Sequence, residues 1–283
     1  MGYAGSKGYE RLMKKIIILL VLLCSYPCYA IISGFGGGGG GGGASVEEPT
    51  VAAYWSFDSE DWVDEETRGG GSPLTLTNYN SNATFETSSP ITGAASASYD
   101  GVSSYTYILY SDWHAANLPM SGTSYRDVSI CAQFSFDSAI SGSVANLISK
   151  YNTDSKRTLL IRKNSDDKME VLHGPAGGGT PTSYGTHATG LTHSTNYGVC
   201  YTEDGTTADW TLDVYNVDTS SAVGSQASGT WGNVLNIEDV NFFISGREPS
   251  GTDDWDGLID EVKIYGTPLT SDQVEAYFAG DFF

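Results

Sequence analysis

The chain has 283 residues, enough for one large β domain or two small ones. Aromatic residues make up 12% of it and 35 positions are glycine, a composition that favours strands and turns over helices. The formal net charge of −20 at pH 7 repels phosphate backbones and anionic lipid. This argues against nucleic acid and membrane surfaces as partners and leaves neutral glycans, cations and basic protein surfaces.

Residues 1–30 have the pattern of an export signal. Two lysines precede an apolar stretch from 16 to 24, and small residues suit cleavage after Ala30. Residues 1–12 lack this pattern, which leaves Met13 as an alternative start. The stretch is short for a bilayer span, so we expect no membrane insertion after cleavage. The signal predicts a secreted protein, extracellular or on the cell surface, with the periplasm as an alternative.

Residues 31–50 are a glycine-rich linker with eight consecutive glycines at 36–43. Such a sequence cannot build a core and is typical of a flexible tether. We therefore place the folded domain at 51–283.

Short alternating apolar runs, bounded by Gly, Asn, Asp, Ser and Pro, extend from Val51 to the C-terminus. Alternate positions share a face at 53–57, 128–136, 199–201 and 212–214. Further candidate strands lie at 105–110, 145–150, 157–162, 168–173, 240–245 and 260–265. The pattern predicts an all-β fold, a two-sheet antiparallel β-sandwich, with Trp55 in its core.

One short C-terminal helix is predicted at 271–278. Thr270 can cap its first turn, and Gln273 follows at capping-box spacing. The helix is expected to cover a sheet edge.

Three segments resemble laminin-G-like jelly rolls of the concanavalin A-like lectin/glucanase group, to which the pentraxins are related. They are Tyr54-Trp55-Ser56-Phe57-Asp58, the Tyr99-Asp100-Gly101 region, and Gly257–Tyr265 followed by Pro268–Val274. The resemblance covers 51 to about 278 and implies a jelly-roll sandwich with its first and last strands adjacent. In the last strand, parity places Val262 and Ile264 toward the core and Glu261 and Lys263 toward solvent.

Cys131 and Cys200 are the only cysteines after signal removal, and both fall in predicted strands of an exported chain. Parity directs both thiols away from the main core, where neighbouring strands can bring them within bonding distance. An oxidised pair with a structural role is expected, with two free thiols as the alternative. The resemblance adds that pentraxins carry a disulfide between similar strands.

No catalytic motif is evident. The pairs Glu238-Asp239 and Asp260-Glu261 are adjacent, so their members point to opposite faces of a strand, which does not suit a glycosidase. The four histidines are scattered, and neither Gly-x-Ser-x-Gly nor His-Glu-x-x-His occurs. We expect a non-enzyme, with a glycosidase of the concanavalin A-like group as the less favoured alternative.

A structural Ca²⁺ is predicted where acidic residues of the first loop and of the last strand meet. The candidate ligands are Asp64, Asp256 and Asp260. The alternative is that Asp260 accepts backbone N–H bonds without a metal. Relatives with a calcium-dependent ligand site carry acidic residues where this chain has Ser103 and Ser104, which favours a structural role.

Aromatic residues in loops are candidates for stacking on sugar rings. They are Tyr110, Trp113, Tyr184 and Trp255. The alternative is that these aromatics anchor the core or the loops. The function expected is a carbohydrate-binding module, with a protein-binding adhesion or assembly module as the alternative. The partner is thus a glycan or a surface protein.

Overall fold

The computed structural model describes residues 46–67, 73–121, 127–152, 156–174, 184–233, 235–247 and 253–282. The predicted signal peptide and the glycine run of the linker lie outside these residues. Within the described ranges, no helix is long and apolar enough to cross a membrane.

Seventeen strands and two helices make up the secondary structure of this part of the chain. The strands are β1 (Val51–Trp55), β2 (Glu66–Thr67), β3 (Thr77–Asn78), β4 (Thr84–Glu86), β5 (Ser96–Asp100), β6 (Thr106–Ile108), β7 (Val128–Phe136), β8 (Ala145–Tyr151), β9 (Arg157–Lys163), β10 (Met169–His173), β11 (Tyr184–Thr186), β12 (Tyr197–Glu203), β13 (Asp209–Asn216), β14 (Ser221–Ala222), β15 (Ala227–Thr230), β16 (Phe242–Ile244) and β17 (Asp256–Tyr265). The helices are α1 (Tyr110–Ala115) and α2 (Ser271–Ala279).

The strands form two antiparallel sheets, which confirms the predicted sandwich. The ten-stranded sheet has the order β14-β13-β12-β7-β17-β1-β2, with β15 paired to β13 and β5 joining β17 to β4. The seven-stranded sheet has the order β11-β10-β9-β8-β16-β6-β3. The first and last strands are neighbours, with Trp55 opposite Val262, as the family resemblance implied.

The main core lies between the sheets. The alternate positions predicted for β7, from Val128 to Phe136, all face it, and Trp55 is fully buried there. The seven-stranded sheet contributes alternate residues of its own, among them Leu159, Ile161 and Phe242. Burial of these apolar side chains contributes about 25 cal/mol per Å² of surface removed from water.

A second apolar cluster lies on the opposite side of the ten-stranded sheet, beneath α2. Cys131 and Cys200 face each other on β7 and β12, with Cα atoms 4.1 Å apart, and form a disulfide within this cluster. Tyr277 and Phe278 of α2 cover them. The helix begins with the predicted capping box, in which Gln273 N donates to Thr270 Oγ1 over 3.3 Å.

The exposure predicted for Glu261 and Lys263 was wrong. They are 4% and 2% exposed because α2 and the segment before β1 cover this side of β17. The Tyr277 hydroxyl donates to the Glu261 carbonyl over 2.5 Å, and Lys263 Nζ lies 3.0 Å from a Glu48 carboxylate oxygen. Val262 and Ile264 face the core as predicted, but a β-bulge between Asp260 and Lys263 interrupts the alternation, and the second face of the strand is also packed.

Candidate functional site

The side of the seven-stranded sheet that faces away from the main core carries one continuous row of side chains, of which only the two at the ends are exposed. We call this side the outer face. The row, in register from one edge of the sheet to the other, consists of Thr77, Tyr107, Phe243, Ser149, Leu160, Leu172 and Tyr184. The residues that alternate with them, such as Ile108, Phe242 and Val171, belong to the main core. The row therefore points away from the core.

The row has an aromatic group at one end and a single exposed tyrosine at the other. Tyr105 stacks on Tyr79 with ring centroids 4.4 Å apart and meets Phe243 edge-on at 5.7 Å. At the other end Tyr184 is 49% exposed, and the Arg162 guanidinium carbon lies 5.9 Å from its ring centre. A half-exposed ring beside a guanidinium group is an arrangement that can stack on a flat ligand surface.

A polar row runs parallel to the first, two residues further along the strands. It comprises Asn146, Arg162, Glu170 and Thr186 in register on four neighbouring strands. Arg162 donates through Nε to Glu170 over 2.6 Å and pairs with it through Nη2 at 2.5 Å. Asn146 is fully buried, and neither atom of its amide finds a partner among the described residues.

Tyr151 forms an apolar cluster with Leu160 and Leu172 on the outer face. The Arg157 guanidinium carbon lies 5.3 Å from the Tyr151 ring centre. Burial raises the pKa of the Tyr151 hydroxyl, and the positive charges of Arg157, Arg247 and Arg162 partly offset that rise. The charges of three guanidinium groups thus act on one tyrosine.

Arg247 joins this region from the segment after β16. Its Nη2 pairs with Asp253 at 2.8 Å, and the Asp253 carbonyl accepts from the Asn146 N–H over 2.7 Å. The buried Nε of Arg247 finds no partner in the described part of the chain.

Two of the four predicted ligand-binding aromatics are buried, so these predictions were wrong. Trp113 and Trp255 are fully buried in the main core. The Trp113 indole donates to the Pro119 carbonyl over 2.7 Å and stacks on Phe242, because α1 turns it inward. The Trp255 indole donates to the Ser135 carbonyl over 2.9 Å. Neither ring can present a face to a sugar.

Tyr110 and Tyr184 lie at different places on the sandwich. Tyr110 begins α1, stacks on His114 at 5.6 Å and lies under the ammonium group of Lys150 at 4.9 Å. Burial raises its pKa. Tyr184 lies on β11, at the opposite edge of the sheet from the β6 strand that leads into α1. Of the four predicted aromatics, Tyr184 alone is on the outer face.

The three predicted calcium ligands do not come together. Asp64 accepts from Leu74 N in the first loop, while Asp256 is paired in register with Asp100. Asp260 lies four residues further along β17 and accepts from Ser96 Oγ over 2.7 Å. Across the described ranges, no group of three or more His, Cys, Asp or Glu side chains is arranged to hold a metal ion. These residues as a set therefore do not fit a calcium site.

Asp260 and Glu261 are nonetheless an unusual pair. Burial raises the pKa of Asp260 to about 8 and that of Glu261 to about 7. Asp260 also accepts from Thr92 N over 3.2 Å and Glu261 N over 2.9 Å, as the metal-free alternative supposed. Tyr54 donates to Glu261 over 2.5 Å.

The main core also contains a buried polar network that the sequence pattern did not predict. The Tyr201 hydroxyl donates to Glu203 over 2.5 Å, and His173 Nε2 lies 3.1 Å from the other Glu203 oxygen. Trp231 donates to Tyr201 and stacks on His173 at 5.0 Å. Glu203 shares strand parity with Tyr201, so its inward direction could have been predicted. The network is enclosed between the sheets.

A concavity of about 520 Å³ lies on the ten-stranded sheet, where β12, β13 and β15 meet. Its lining includes Thr202, Thr211, Ser228, Thr230 and Pro268. The one aromatic in its lining, Trp210, is 8% exposed and stacks on Trp231. This concavity also contains Asp204, Asp209 and Gln226, so it offers hydroxyl, carboxylate and amide groups without an exposed ring.

The two-sheet antiparallel jelly roll, with its apolar core between the sheets, defines a β-sandwich of the concanavalin A-like type. The family model of the concanavalin A-like lectin/glucanases superfamily, in its laminin G branch, matches residues 105–275. The chain belongs to this superfamily.

Solved structures share the fold at low sequence identity. Domain 4 of an extracellular arabinanase from Geobacillus stearothermophilus, in complex with arabinotriose, is 17% identical over 81% of this chain and 98% of that one, with a TM-score of 0.57. A sialidase from Trypanosoma rangeli is 14% identical over 97% of this chain and 40% of its own, with a TM-score of 0.56. The binding domain of botulinum neurotoxin serotype D is 10% identical over 82% of this chain and 52% of its own, with a TM-score of 0.56. A sequence search of curated proteins finds no match.

Proposed function

We propose that this protein is a secreted, non-catalytic carbohydrate-binding module whose glycan ligand lies along the outer face. The observation that carries the proposal is the half-exposed Tyr184 beside the Arg162–Glu170 pair. Sugar sites combine a stacking ring with a few fixed polar groups. Tyr184 supplies the ring, and the neighbouring Arg162 and Thr186 supply hydrogen-bonding groups.

The sheet geometry suits an extended ligand. Neighbouring strands are about 4.8 Å apart, so a row across seven strands spans roughly 29 Å. The exposed ring of Tyr184 lies at one end of this row, where a glycan can reach it. The fold shared with the arabinotriose-bound arabinanase domain is consistent with a binding role, although the residues proposed here come from this chain alone.

The absence of catalysis is proposed from the placement of the carboxylates. Glycoside hydrolysis needs two accessible carboxyl groups on either side of the bond, separated by about 5 to 9.5 Å. Glu170 is held by Arg162, and Glu203 and Asp260 are fully buried. None of these three is available to a substrate on the outer face as a free acid and base pair.

Secretion is supported by the disulfide, because such bonds persist in oxidising compartments. Adhesion to a protein is less favoured. The exposed large apolar side chains of the described residues are Val46, Val63, Val102, Leu109 and Tyr184, which belong to five separate segments. Protein-binding surfaces concentrate such side chains in one patch.

A glycan array probed with the protein and two variants tests the proposal. Tyr184→Ala removes the exposed ring on the outer face, whereas Val102→Ala removes a more exposed apolar side chain from the turn between β5 and β6. We expect glycan binding by the wild type and by Val102→Ala and loss of binding by Tyr184→Ala. Absence of wild-type binding to every glycan, or equal binding by both variants, would refute the proposed function.

A further inference from the structure

The protein is strongly acidic, but its positive side chains are not spread evenly. The three arginines of the described residues, Arg157, Arg162 and Arg247, all lie close enough to Tyr151 for their charges to act on its hydroxyl, and Arg157 lies over its ring. The chain as a whole carries 34 acidic residues against 14 Lys and Arg. Because the chain as a whole is negatively charged, a cluster of positive side chains at one place indicates a local function for them.

Two of these arginines are held in place by carboxylates. Glu170 accepts from Nε of Arg162 and pairs with its Nη2, and Asp253 pairs with Nη2 of Arg247. A guanidinium group has five N–H donors, so both retain donors for a further acceptor. Both side chains are only 18% exposed, which restricts their orientation.

The cluster also contains buried polar groups whose partners are missing. The Asn146 amide lies directly across from Arg162 in the sheet, is fully buried, and has no partner for either its N–H₂ or its oxygen in the described part of the chain. Nε of Arg247 is likewise buried without a partner there. Donors left open beside a guanidinium cluster indicate a site for an anionic acceptor.

We infer that the outer face binds an acidic glycan, with a sugar carboxylate held by Arg157, Arg162 and Arg247 beside Asn146. The inference rests on the proposed function and adds to it the chemical class of the sugar. A planar carboxylate matches the fork of a guanidinium group and can accept two parallel N–H bonds.

The protein's own carboxylates near the three arginines do not remove the preference for an acidic glycan. Glu170 and Asp253 leave one positive charge among the five groups, and each lies at its own arginine. The charge of Asp254 also acts on Arg247, but burial raises the pKa of this carboxyl to about 6, so that it is neutral in part near that pH; it accepts from Ser103 N over 2.9 Å. The ligand carboxylate therefore meets a cluster whose acidic members serve to orient the arginines.

The test measures affinity for paired polysaccharides. The probes are polygalacturonate, alginate, hyaluronan and polysialic acid, each compared with its carboxyl-esterified form, and dextran sulfate as an anion without carboxylates. We expect at least one carboxylate polymer to bind, with a loss of about tenfold or more on esterification. Binding should weaken when NaCl rises from about 50 mM to about 500 mM, because exposed charges are screened.

Variants locate the interaction. Arg157→Gln, and the double variant Arg162→Gln with Glu170→Gln, remove guanidinium groups without leaving a lone buried charge. The control Lys156→Gln makes the same change of charge one residue before Arg157, at an exposed side chain whose ammonium contacts the Asp239 carbonyl. We expect a loss of about tenfold in the first two and none in the control, with thermal melts verifying folding.

The outcomes separate the two proposals. Binding of esterified or neutral glycans as tightly as acidic ones, with sensitivity to Tyr184→Ala, would overturn the acidic preference and leave the proposed function standing. Dextran sulfate binding as tightly as the carboxylate polymers would also overturn it, as a general attraction to anions. Absence of binding to any glycan would overturn both proposals.

Discussion

Asn146 on β8 and Arg162 on β9 lie directly opposite each other, on the side of the sheet that faces away from the main core. The buried Asn146 amide has no partner among the described residues, which costs on the order of 1–3 kcal/mol in stability. Such a cost is tolerated when the group serves binding. We therefore predict that Asn146→Leu raises the free energy of unfolding by about 1 kcal/mol and weakens glycan binding.

Urea denaturation of Asn146→Leu, together with glycan titration, checks this pair of effects. A variant that is less stable and binds as well as the wild type would contradict the role given to the amide.

Trp113 and Tyr184 are predicted to separate stability from binding. Trp113 is fully buried, so Trp113→Ala should destabilise the fold by about 3–5 kcal/mol. Tyr184→Ala should change stability by less than about 1 kcal/mol because its ring is half exposed. Denaturation curves of both variants measure the difference. A stable Trp113→Ala protein that had lost only glycan binding would restore Trp113 as a ligand contact.

The Asp260–Glu261 pair predicts stability that falls with rising pH. Burial raises the folded-state pKa of Asp260 from 3.8 to about 8 and that of Glu261 from 4.5 to about 7. When the pKa of a group is higher in the folded state than in the unfolded state, the group contributes its full stabilisation below its unfolded-state pKa. This stabilisation is lost as the pH rises through its folded-state pKa. The melting temperature should therefore be lower at about pH 9 than at about pH 5.5.

Asp260→Asn is the matched variant for this effect. It keeps the shape of the side chain and removes the titration, so its melting temperature should change less between the two pH values. A wild-type melting temperature that increases from pH 5.5 to 9, in the absence of divalent cations, would be inconsistent with the burial of this pair.

The calcium prediction can be tested at Asp260, the candidate ligand whose pKa burial raises to about 8. A divalent cation beside Asp260 and Glu261 would favour their charged forms and so lower their pKa values. The Asp58 carboxylate has the opposite effect and raises the pKa of Glu261. We predict that Ca²⁺ raises the melting temperature at about pH 9 and has little effect at about pH 5.5. Scanning calorimetry with Ca²⁺ and with chelator tests this. Identical melting temperatures at pH 9 with Ca²⁺ and with chelator would contradict calcium binding. Asp260 would then be stabilised by its N–H donors alone.

The disulfide is predicted to matter for stability and not for binding. It joins cysteines 69 residues apart, and closing such a loop contributes up to about 4 kcal/mol in the chain-entropy account. The bond lies beneath α2 on the ten-stranded sheet, away from the outer face. Cys131→Ser with Cys200→Ser should lower the denaturation midpoint and retain glycan affinity at temperatures where it stays folded. A selective loss of affinity would be unexpected.

Strand parity predicted the architecture well because the alternating pattern follows directly from the pleat. The core side of β7, the paired cysteines between β7 and β12, and the capping box of α2 are all local consequences of the sequence. Parity failed for Glu261 and Lys263 because it describes one sheet and does not include the helix that covers its second face.

The candidate site was less predictable. Trp113 and Trp255 appeared in loop-like sequence, but tertiary packing turned both inward. Arg162 and Glu170 belong to different strands and become neighbours only through the β9–β10 register. Arg247 reaches the same face from a segment about 85 residues later in the chain, which no local pattern indicates. The sequence did contain one indication of the candidate site: charged residues occur at outward positions of otherwise apolar strands.

A crystal structure of the protein with the glycan that binds it most tightly is the most direct test of the central claim. We predict that the glycan lies along the outer face, with one ring against Tyr184 and polar contacts to Arg162 and Asn146. A glycan bound in the concavity lined by Thr202, Thr211 and Ser228, or anywhere else on the ten-stranded sheet, would contradict the account.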